Sequence, residues 1–337
     1  MKWVIYVLAV LLLSYQVEAL AHESPDQLAR WAPEPPEGGD RPETPNDADA
    51  NSLPPLMPIS DPFTNVLLPG VPMTRQADER SGISYAPYNA DGTCRSRDDI
   101  SKDMDKMNLS GLYGFVRIYG VDCDQTRNVI DAARQRNLRV FAGVYDLQGF
   151  PNSLDHIINA ARGDWSVFHT ISIGNELVNK GTNPQDVVNA VHTARAKLRD
   201  AGYQGPVVTV DTFSVLLRHP QLCKASDYCA ANCHAFFDAT QPAENAGKYA
   251  VKQANRISAA AGGKRTVITE SGWPHHGQAN ANAIPSPRNQ ITAHSDLHDA
   301  FRHRKGDLVM FSAFDDLWKQ DGPGTFGAEK YWGILER

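Results

Sequence analysis

In the stretch Phe168-His169-Thr170-Ile171-Ser172-Ile173, apolar and β-branched residues follow one another with little interruption. Seven more short runs of this kind recur along the chain, at residues 82–86, 114–119, 138–144, 207–210, 228–232, 266–269 and 308–312. A strand that is buried on both faces of a parallel sheet has this character, because neither face meets water. We therefore predict eight buried strands between residues 81 and 337.

Segments with helical signals separate several of these runs. Asn183 is a good capping residue, Pro184 suits a first helical turn, and Gly202 marks a stop. An apolar stripe at helical spacing lies between them, at Val187, Val191, Ala194 and Leu198. Ser286-Pro287 repeats the start signal. Eight strands alternating with helices over about 250 residues predict an α/β fold of the (β/α)8 TIM barrel type.

A doubly wound open sheet is the structural alternative. Such a sheet is expected to show a glycine-rich phosphate-binding turn after its first strand. The first run instead ends in Tyr85-Ala86-Pro87-Tyr88, which contains no glycine. This sequence favours the barrel.

The composition excludes several classes of protein. With 337 residues, 42% hydrophobic and 21% charged, the chain is neither a disulfide mini-protein nor mainly disordered. A net charge of −6 gives no basic surface, so we expect no nucleic-acid partner. Most of the negative charge lies before Ser81, and the nearly neutral remainder suits an uncharged partner such as a polysaccharide.

The amino-terminal residues have the pattern of an export signal. Met1-Lys2, the apolar Val4 to Leu13 and Ala19-Leu20-Ala21 predict a cleaved signal peptide over residues 1–21, with a membrane anchor as the alternative. Residues 22–80 hold 12 of the 22 prolines and are strongly acidic, which predicts a disordered linker or pro-segment. We therefore expect a secreted protein, extracellular or in the cell wall, with no membrane attachment after signal cleavage.

Two glutamates stand where predicted strands reach the rim of the barrel. The fourth run continues into Gly174-Asn175-Glu176, and the seventh into Glu270-Ser271-Gly272-Trp273-Pro274. Chemistry in these barrels takes place at the carboxyl ends of the strands. Cleavage of a glycosidic bond needs two carboxyl groups, one to protonate the leaving oxygen and one to act as nucleophile or to activate water. The pattern therefore predicts a glycosidase site.

Five segments resemble fungal members of glycoside hydrolase family 17, the cell-wall β-1,3-glucanases and glucanosyltransferases. They are residues 82–88, 116–123, 173–176, 231–238 and 268–274, within a resemblance that spans roughly residues 82–335. The resemblance implies a (β/α)8 barrel and a retaining double displacement without cofactor or metal. In it, Glu176 matches the acid/base, Glu270 the nucleophile and Asn175 the amide that binds the sugar 2-hydroxyl. His234 resembles the sixth-strand residue that touches the nucleophile.

A glucan cleft needs aromatic rings for the C–H faces of sugars and polar groups for their hydroxyls. Tyr85, Trp273 and Trp318 are the favoured rings. Arg117 and Asp211 are expected to orient a carboxylate or to read hydroxyls. Further aromatic candidates are Tyr88, Tyr119, Tyr145, Phe236, Phe237 and Phe314.

Five cysteines in an exported chain indicate two disulfides and one free thiol. Cys94 and Cys123 follow the first two strands, so we predict that they are bonded; pairing of Cys223 with Cys229 is a weaker prediction and leaves Cys233 free. Asn108 begins an Asn-Leu-Ser sequon and is a predicted glycosylation site. We see no metal-ligand spacing and expect a monomer.

Three classes of function remain after these arguments. The first is an enzyme on β-1,3-glucan, either an endo-hydrolase or a glucanosyltransferase. The second is a glucan-binding wall protein that has lost turnover, against which the presence of both Glu176 and Glu270 argues. The third is a barrel glycosidase for another β-glycan, such as mannan or β-1,6-glucan.

Overall fold

The computed structural model describes residues 80–337. The predicted signal peptide (1–21) and all but the last residue of the predicted linker (22–80) lie outside the described residues. The backbone forms eight strands: β1 (Ser81–Ser84), β2 (Tyr113–Arg117), β3 (Arg139–Val144), β4 (Phe168–Asn175), β5 (Val207–Thr212), β6 (Cys229–Asn232), β7 (Thr266–Ser271) and β8 (Leu308–Met310).

Each strand pairs in parallel with the next, and β8 pairs with β1, so that the sheet closes into a barrel. This confirms the predicted (β/α)8 architecture. Because all strands run in one direction, their carboxyl ends meet at one mouth. Glu270 lies near the end of β7 and Glu176 directly follows β4, so both glutamates stand at this mouth.

Helices follow most strands on the outside of the barrel. They are α1 (Arg97–Leu109), α2 (Gln125–Arg134), α3 (Leu154–Ala161), α4 (Pro184–Asp200), α5 (Phe213–Arg218), α6 (Gln221–Ala225), α7 (Ala246–Ala260) and α8 (Pro287–Ala300). The predicted start signals are confirmed, because the side chains of Asn183 and Ser286 accept hydrogen bonds from the first turns of α4 and α8. Among residues 80–337, none of the helices combines the length and apolar character needed to cross a bilayer.

The hydrophobic core has two parts. A large cluster includes the buried stripe of α4 and apolar residues of the strands. A separate cluster comes from six of the strands and their margins and contains Phe115, Phe141, Val208, Val210, Tyr228, Ala230, Val267 and Val309. Phe115 packs directly over Gly82, where a Cβ atom would overlap the ring. The packed interior gives the polar residues at the mouth a rigid base.

Candidate active site

Glu176 sits on a sharp turn after β4. Gly174 and Glu176 have positive φ angles of 83° and 58°, and the second costs about 1 kcal/mol or more for a residue with a side chain. The Glu176 amide donates to the Val210 carbonyl of β5 at 2.9 Å, and the Lys180 amide donates to the Glu176 carbonyl at 3.0 Å. The neighbouring strand thus holds the turn, which leaves the Glu176 carboxylate half-buried.

Glu270 has a different environment, because its carboxylate is buried between two nitrogen donors. Arg117 Nη1 donates to Glu270 Oε1 at 2.9 Å, and His234 Nε2 lies 3.2 Å from Glu270 Oε2. Burial by itself raises the pKa of Glu270, but the charges of Arg117, His234 and Lys319 and the His234 hydrogen bond outweigh it and lower the pKa to about 2. Glu270 is therefore ionised across the physiological pH range.

Asn232 and Arg117 connect the two carboxylates. Asn232, the last residue of β6, donates from Nδ2 to Glu176 Oε1 at 2.9 Å. Its Oδ1 atom accepts from Arg117 Nη1 at 3.2 Å, and the same Nη1 binds Glu270. Glu176 and Glu270 therefore belong to one hydrogen-bonded network at the barrel mouth.

Asn175 presents donors beside this network. Its Oδ1 atom accepts hydrogen bonds from Arg117 Nη2 at 2.8 Å and from Asn232 Nδ2 at 3.3 Å. These contacts fix the orientation of the amide, so that its two N–H groups remain available to a ligand. An amide held in this way suits recognition of a sugar hydroxyl.

The Tyr119 ring lies under the same guanidinium. The Arg117 Cζ atom is 4.5 Å from the centre of the ring. The Tyr119 hydroxyl is buried and lacks a hydrogen-bond partner of good geometry. Burial and then the nearby Glu270 carboxylate raise the pKa of this phenol well above its ordinary value, so Tyr119 remains a neutral donor next to Glu270.

The BtgE/BtgC glycoside hydrolase domain matches residues 82–333. The chain belongs to the BtgE/BtgC glycoside hydrolase family. It is 42% identical to the cell surface mannoprotein MP65 of Candida albicans over 257 residues, which cover 75% of this chain and 66% of that protein. It is also 42% identical to the probable family 17 glucosidase SCW10 of Saccharomyces cerevisiae over 265 residues, or 77% and 65% of the two chains. The chain thus spans just under two thirds of each relative, and the predicted relationship to glycoside hydrolase family 17 is confirmed.

Solved structures agree with this family assignment at the level of the fold. A family 17 β-1,3-glucanosyltransferase from Rhizomucor miehei superimposes with a TM-score of 0.63 at 24% identity, covering 77% of this chain and 94% of that one. An endo-laminarinase from Formosa superimposes with a TM-score of 0.65 at 17% identity, covering 76% and 83%. Both likenesses support the same barrel architecture.

Aromatic side chains form a wall on the Glu270 side of the barrel mouth. Its members are His234, Phe236, Phe237, Phe311 and Trp332. The His234 ring lies 4.9 Å from that of Trp332 and 5.1 Å from that of Phe311, both edge to face. Phe237 is 43% exposed, so its ring remains available for stacking.

Sequence reasoning missed several charged and polar side chains near Glu270. Lys319 Nζ lies 4.7 Å above the Phe311 ring and 3.2 Å from Asp316 Oδ2. The pKa of Glu329 is raised by burial and by the charge of Glu270, although the charges of Lys319 and His234 lower it. Lys319 and Glu329 lie in the loop after β8, where no pattern marks them. Asn232 had a signal, because it ends a strand inside a family motif.

Two of the three favoured sugar platforms lie in the core instead. Tyr85 is 1% exposed, and its hydroxyl donates to Asp103 Oδ2 at 2.8 Å. Trp273 is fully buried, and its indole N–H donates to the Ile284 carbonyl at 3.0 Å. A sugar cannot stack on a ring that is covered by protein, so the structure contradicts these two expectations. Both rings satisfy their polar atoms within the fold and pack beneath the rim.

The other binding candidates have mixed positions. Trp318 is partly exposed at the rim, 4.9 Å from the Tyr88 ring, and Phe236 is a fully buried member of the aromatic wall. Asp211 is 1% exposed and accepts hydrogen bonds from the amides of Val178 and Thr212. The pKa of Asp211 is raised to about 6, mainly by burial; the charge of Glu176 also raises this pKa, and hydrogen bonds from backbone amides lower it.

The remaining sequence predictions concern cysteines, glycosylation and metals. The structure contains the disulfides Cys94–Cys123 and Cys223–Cys229, and Cys233 is a buried free thiol. Asn108 lies in the last turn of α1 and is partly exposed; its glycosylation stays a prediction. Within the part of the chain that the structure describes, no group of three or more His, Cys, Asp or Glu residues is placed to hold a metal ion.

Proposed function

We propose that this chain cleaves β-1,3-glucan with retention of configuration, with Glu270 as nucleophile and Glu176 as acid/base. The observation that carries the proposal is the network of Arg117 and Asn232, which joins a buried, ionised carboxylate to a half-buried one at the same mouth. A retaining mechanism needs two carboxyl groups with these unequal roles.

In the first step, an oxygen of Glu270 bonds to the anomeric carbon while the glycosidic C–O bond breaks. Glu176 gives its proton to the departing oxygen, and Glu270 becomes a neutral ester. Arg117 and His234 keep Glu270 ionised before the attack, and their hydrogen bonds fix the direction of its oxygens. The Asn175 amide is placed to donate to the 2-hydroxyl of the sugar as positive charge develops on the ring.

In the second step, Glu176 accepts a proton from water or from a sugar hydroxyl. The oxygen so activated bonds to the anomeric carbon, and the ester bond to Glu270 breaks and restores the carboxylate. Attack by water gives hydrolysis, and attack by another glucan chain gives transfer. The two reactions share every residue of the network, so they differ in how well the mouth binds an acceptor sugar.

Several observations support β-1,3-glucan as the substrate class. An active-site mutant of the Rhizomucor miehei glucanosyltransferase was solved in complex with laminaritriose, and it shares the barrel fold with this chain. Two exposed rings lie beside the residues of this network: Phe237 is 6.0 Å from the His234 ring, and the Tyr145 carbonyl accepts the Asn175 amide. Because one relative is named a cell surface mannoprotein, we also propose a location at the cell surface or in the wall.

Glucanosyl transfer is the second candidate activity, because the barrel fold is shared both by the Rhizomucor miehei glucanosyltransferase and by the Formosa endo-laminarinase. Incubation of the purified chain with reduced laminari-oligosaccharides of one length, followed by sizing of the products, separates the two. Shorter products alone indicate hydrolysis, and longer products indicate transfer. NMR of the first products tests retention.

Glu270→Gln is the control for this experiment, because it removes the nucleophile and keeps the shape of the side chain. We expect the variant to bind the oligosaccharide without turning it over. Unchanged oligosaccharide with the wild-type chain would contradict the enzymatic proposal and leave a glucan-binding protein. Wild-type-like activity of Glu270→Gln would contradict the nucleophile assignment.

A further inference from the structure

Asp211 is a buried carboxylate in the wall of the site with no access to a ligand. It lies in β5 next to Val210, whose carbonyl accepts the Glu176 amide. Asp211 is only 1% exposed, so it cannot bind a sugar directly. A carboxylate in such a position needs strong donors, and the structure supplies them from the backbone.

The donors come from the turn that carries Glu176 and from the end of β5. The amide of Val178, two residues after Glu176, donates to Asp211 Oδ2 at 2.9 Å. The amide of Thr212 donates to Oδ1, also at 2.9 Å. Two successive residues of β5 therefore hold the turn, Val210 through its carbonyl and Asp211 through its side chain.

The turn needs this support because its backbone conformation is costly. Glu176 has a φ of 58°, which residues with a side chain rarely adopt. Two hydrogen bonds close the turn: the Lys180 amide donates to the Glu176 carbonyl, and the Gly181 amide donates to the Val178 carbonyl. Without an external anchor, a shift of the turn would move the Glu176 carboxylate relative to Asn232 and to the leaving oxygen.

We propose that Asp211 is a positioning residue that holds the Glu176 turn and acts on catalysis only through Glu176. The proposal rests on the proposed function of Glu176 as acid/base. It adds that the acid/base step depends on a buried carboxyl group that touches neither substrate nor Glu270. The nucleophile has its own supports in Arg117 and His234, so it is expected to work without Asp211.

Asp211→Asn tests this role with little change in shape. The two amides approach different oxygens of Asp211, so an asparagine, with one oxygen, loses one of the two hydrogen bonds in either orientation. For reduced laminari-oligosaccharides, whose leaving oxygen needs a proton, we expect kcat/KM to fall about 10²-fold, the lower end of what general acid catalysis contributes. For a 2,4-dinitrophenyl β-laminaribioside, whose leaving group departs without a proton, we expect kcat/KM close to that of the wild type.

Azide gives a second readout of the same role. Azide attacks the glycosyl-enzyme without a general base; its nitrogen bonds to the anomeric carbon as the ester bond to Glu270 breaks. Added azide is therefore expected to raise kcat of Asp211→Asn on the dinitrophenyl substrate and to yield a β-glycosyl azide. If Asp211 acted only on folding, Asp211→Asn would lower kcat/KM by the same factor on both substrates, and azide would not raise kcat.

Asp307→Asn is the matched control. Asp307 is also a buried carboxylate, bound to Arg265, but it lies before β8, at the opposite end of the barrel. We expect it to change stability and to leave the ratio of the two kcat/KM values as in the wild type. Equal losses on both substrates in folded Asp211→Asn would overturn the proposal. So would failure of both Asp211→Asn and Asp211→Ser to fold where Asp307→Asn folds.

The two proposals fail in different ways. If the wild type cleaves neither substrate, the proposed function fails. In the other case the wild type is active, and Glu176→Ala loses kcat/KM on the oligosaccharides but not on the dinitrophenyl substrate and responds to azide. If Asp211→Asn then shows neither effect, only the role of Asp211 is wrong.

Discussion

Arg117 and Glu270 form an ion pair inside the barrel mouth, with 2.9 Å between Nη1 and Oε1 and both side chains almost completely buried. The two residues come from β2 and β7, which are far apart in the chain. Removal of one partner from a buried pair is costly, because it leaves the other charge without compensation. The pair therefore links the ionisation of the proposed nucleophile to the stability of the fold.

Arg117→Met is expected to move the acidic limb of kcat/KM to higher pH. Without the guanidinium, burial dominates and the pKa of Glu270 rises from about 2. In the wild type the pKa is depressed in the folded state. Ionised Glu270 therefore stabilises the fold at pH values above about 4.5, the pKa of the group in the unfolded chain. This stabilisation is lost as the pH falls from there through about 2. Kinetic profiles and denaturant unfolding between pH 2 and pH 7 measure both effects.

The control for this prediction is Arg97→Met, which removes an exposed ion pair with Asp131 on the outer helices. We expect an unchanged pH profile for it. An Arg117→Met variant that is folded and has the wild-type acidic limb would show that Glu270 does not depend on Arg117 for its ionisation.

Asn232→Ala is expected to lower kcat/KM on laminari-oligosaccharides by about 10- to 100-fold, because a hydrogen bond to a charged group is worth about 1.5–3 kcal/mol. The substitution removes the donor to Glu176 and the acceptor for Arg117. Initial rates of reducing-end release measure the loss. Asn128→Ala, on the outer helix α2, serves as control, and equal rates for the two variants would contradict a role for the Asn232 network.

Phe237→Ala and Tyr145→Ala are expected to raise KM about threefold to tenfold, in line with a stacking contribution of about 0.5–1.5 kcal/mol. Phe237 is 43% exposed and Tyr145 39% exposed, so neither change leaves a cavity in the core. Leu109→Ala, on the outside at 83% exposure, is the matched loss of an apolar side chain. If the KM values of Phe237→Ala and Tyr145→Ala do not exceed that of Leu109→Ala, the glucan does not contact these rings.

Replacement of both Cys94 and Cys123 by serine is expected to lower the free energy of unfolding by about 3–4 kcal/mol. The bond closes a loop across 29 residues, and the loss follows from the entropy that the unfolded chain regains. Denaturant unfolding of the oxidised proteins measures it, with the buried thiol variant Cys233→Ala as control. A difference between the two variants of less than about 1 kcal/mol would contradict the loop-closure argument.

The sequence predicted the fold because the parts of a barrel carry local signals. A strand such as β4 is buried on both faces and reads as an apolar run, and α4 carries its cap at Asn183 and its stripe at helical spacing. Glu176 and Glu270 were predictable for a related reason. In a barrel, a polar residue that ends an apolar run stands at the mouth, so its place in the chain fixes its place in space.

Local signals did not separate the aromatic residues of the core from those of the cleft. Tyr85 and Trp273 follow strand ends, as a sugar platform would, yet both are buried, and Phe237, which received no preference, is exposed. The residue type is the same in both settings, because an aromatic ring suits a protein core and a sugar face equally well. Exposure depends on how the loops fold over each ring.

By itself, the sequence determined the barrel, the family and the positions of the two carboxyl groups, because each is encoded by residues that are neighbours in the chain. Only the tertiary structure decided their chemical environments. The partners of Glu270 come from β2 and from the loop after β6, and those of Glu176 come from β5 and β6. Lys319 and Glu329 come from the loop after β8. Electrostatic interactions depend on distance in space and on burial, and neither is written in the order of residues.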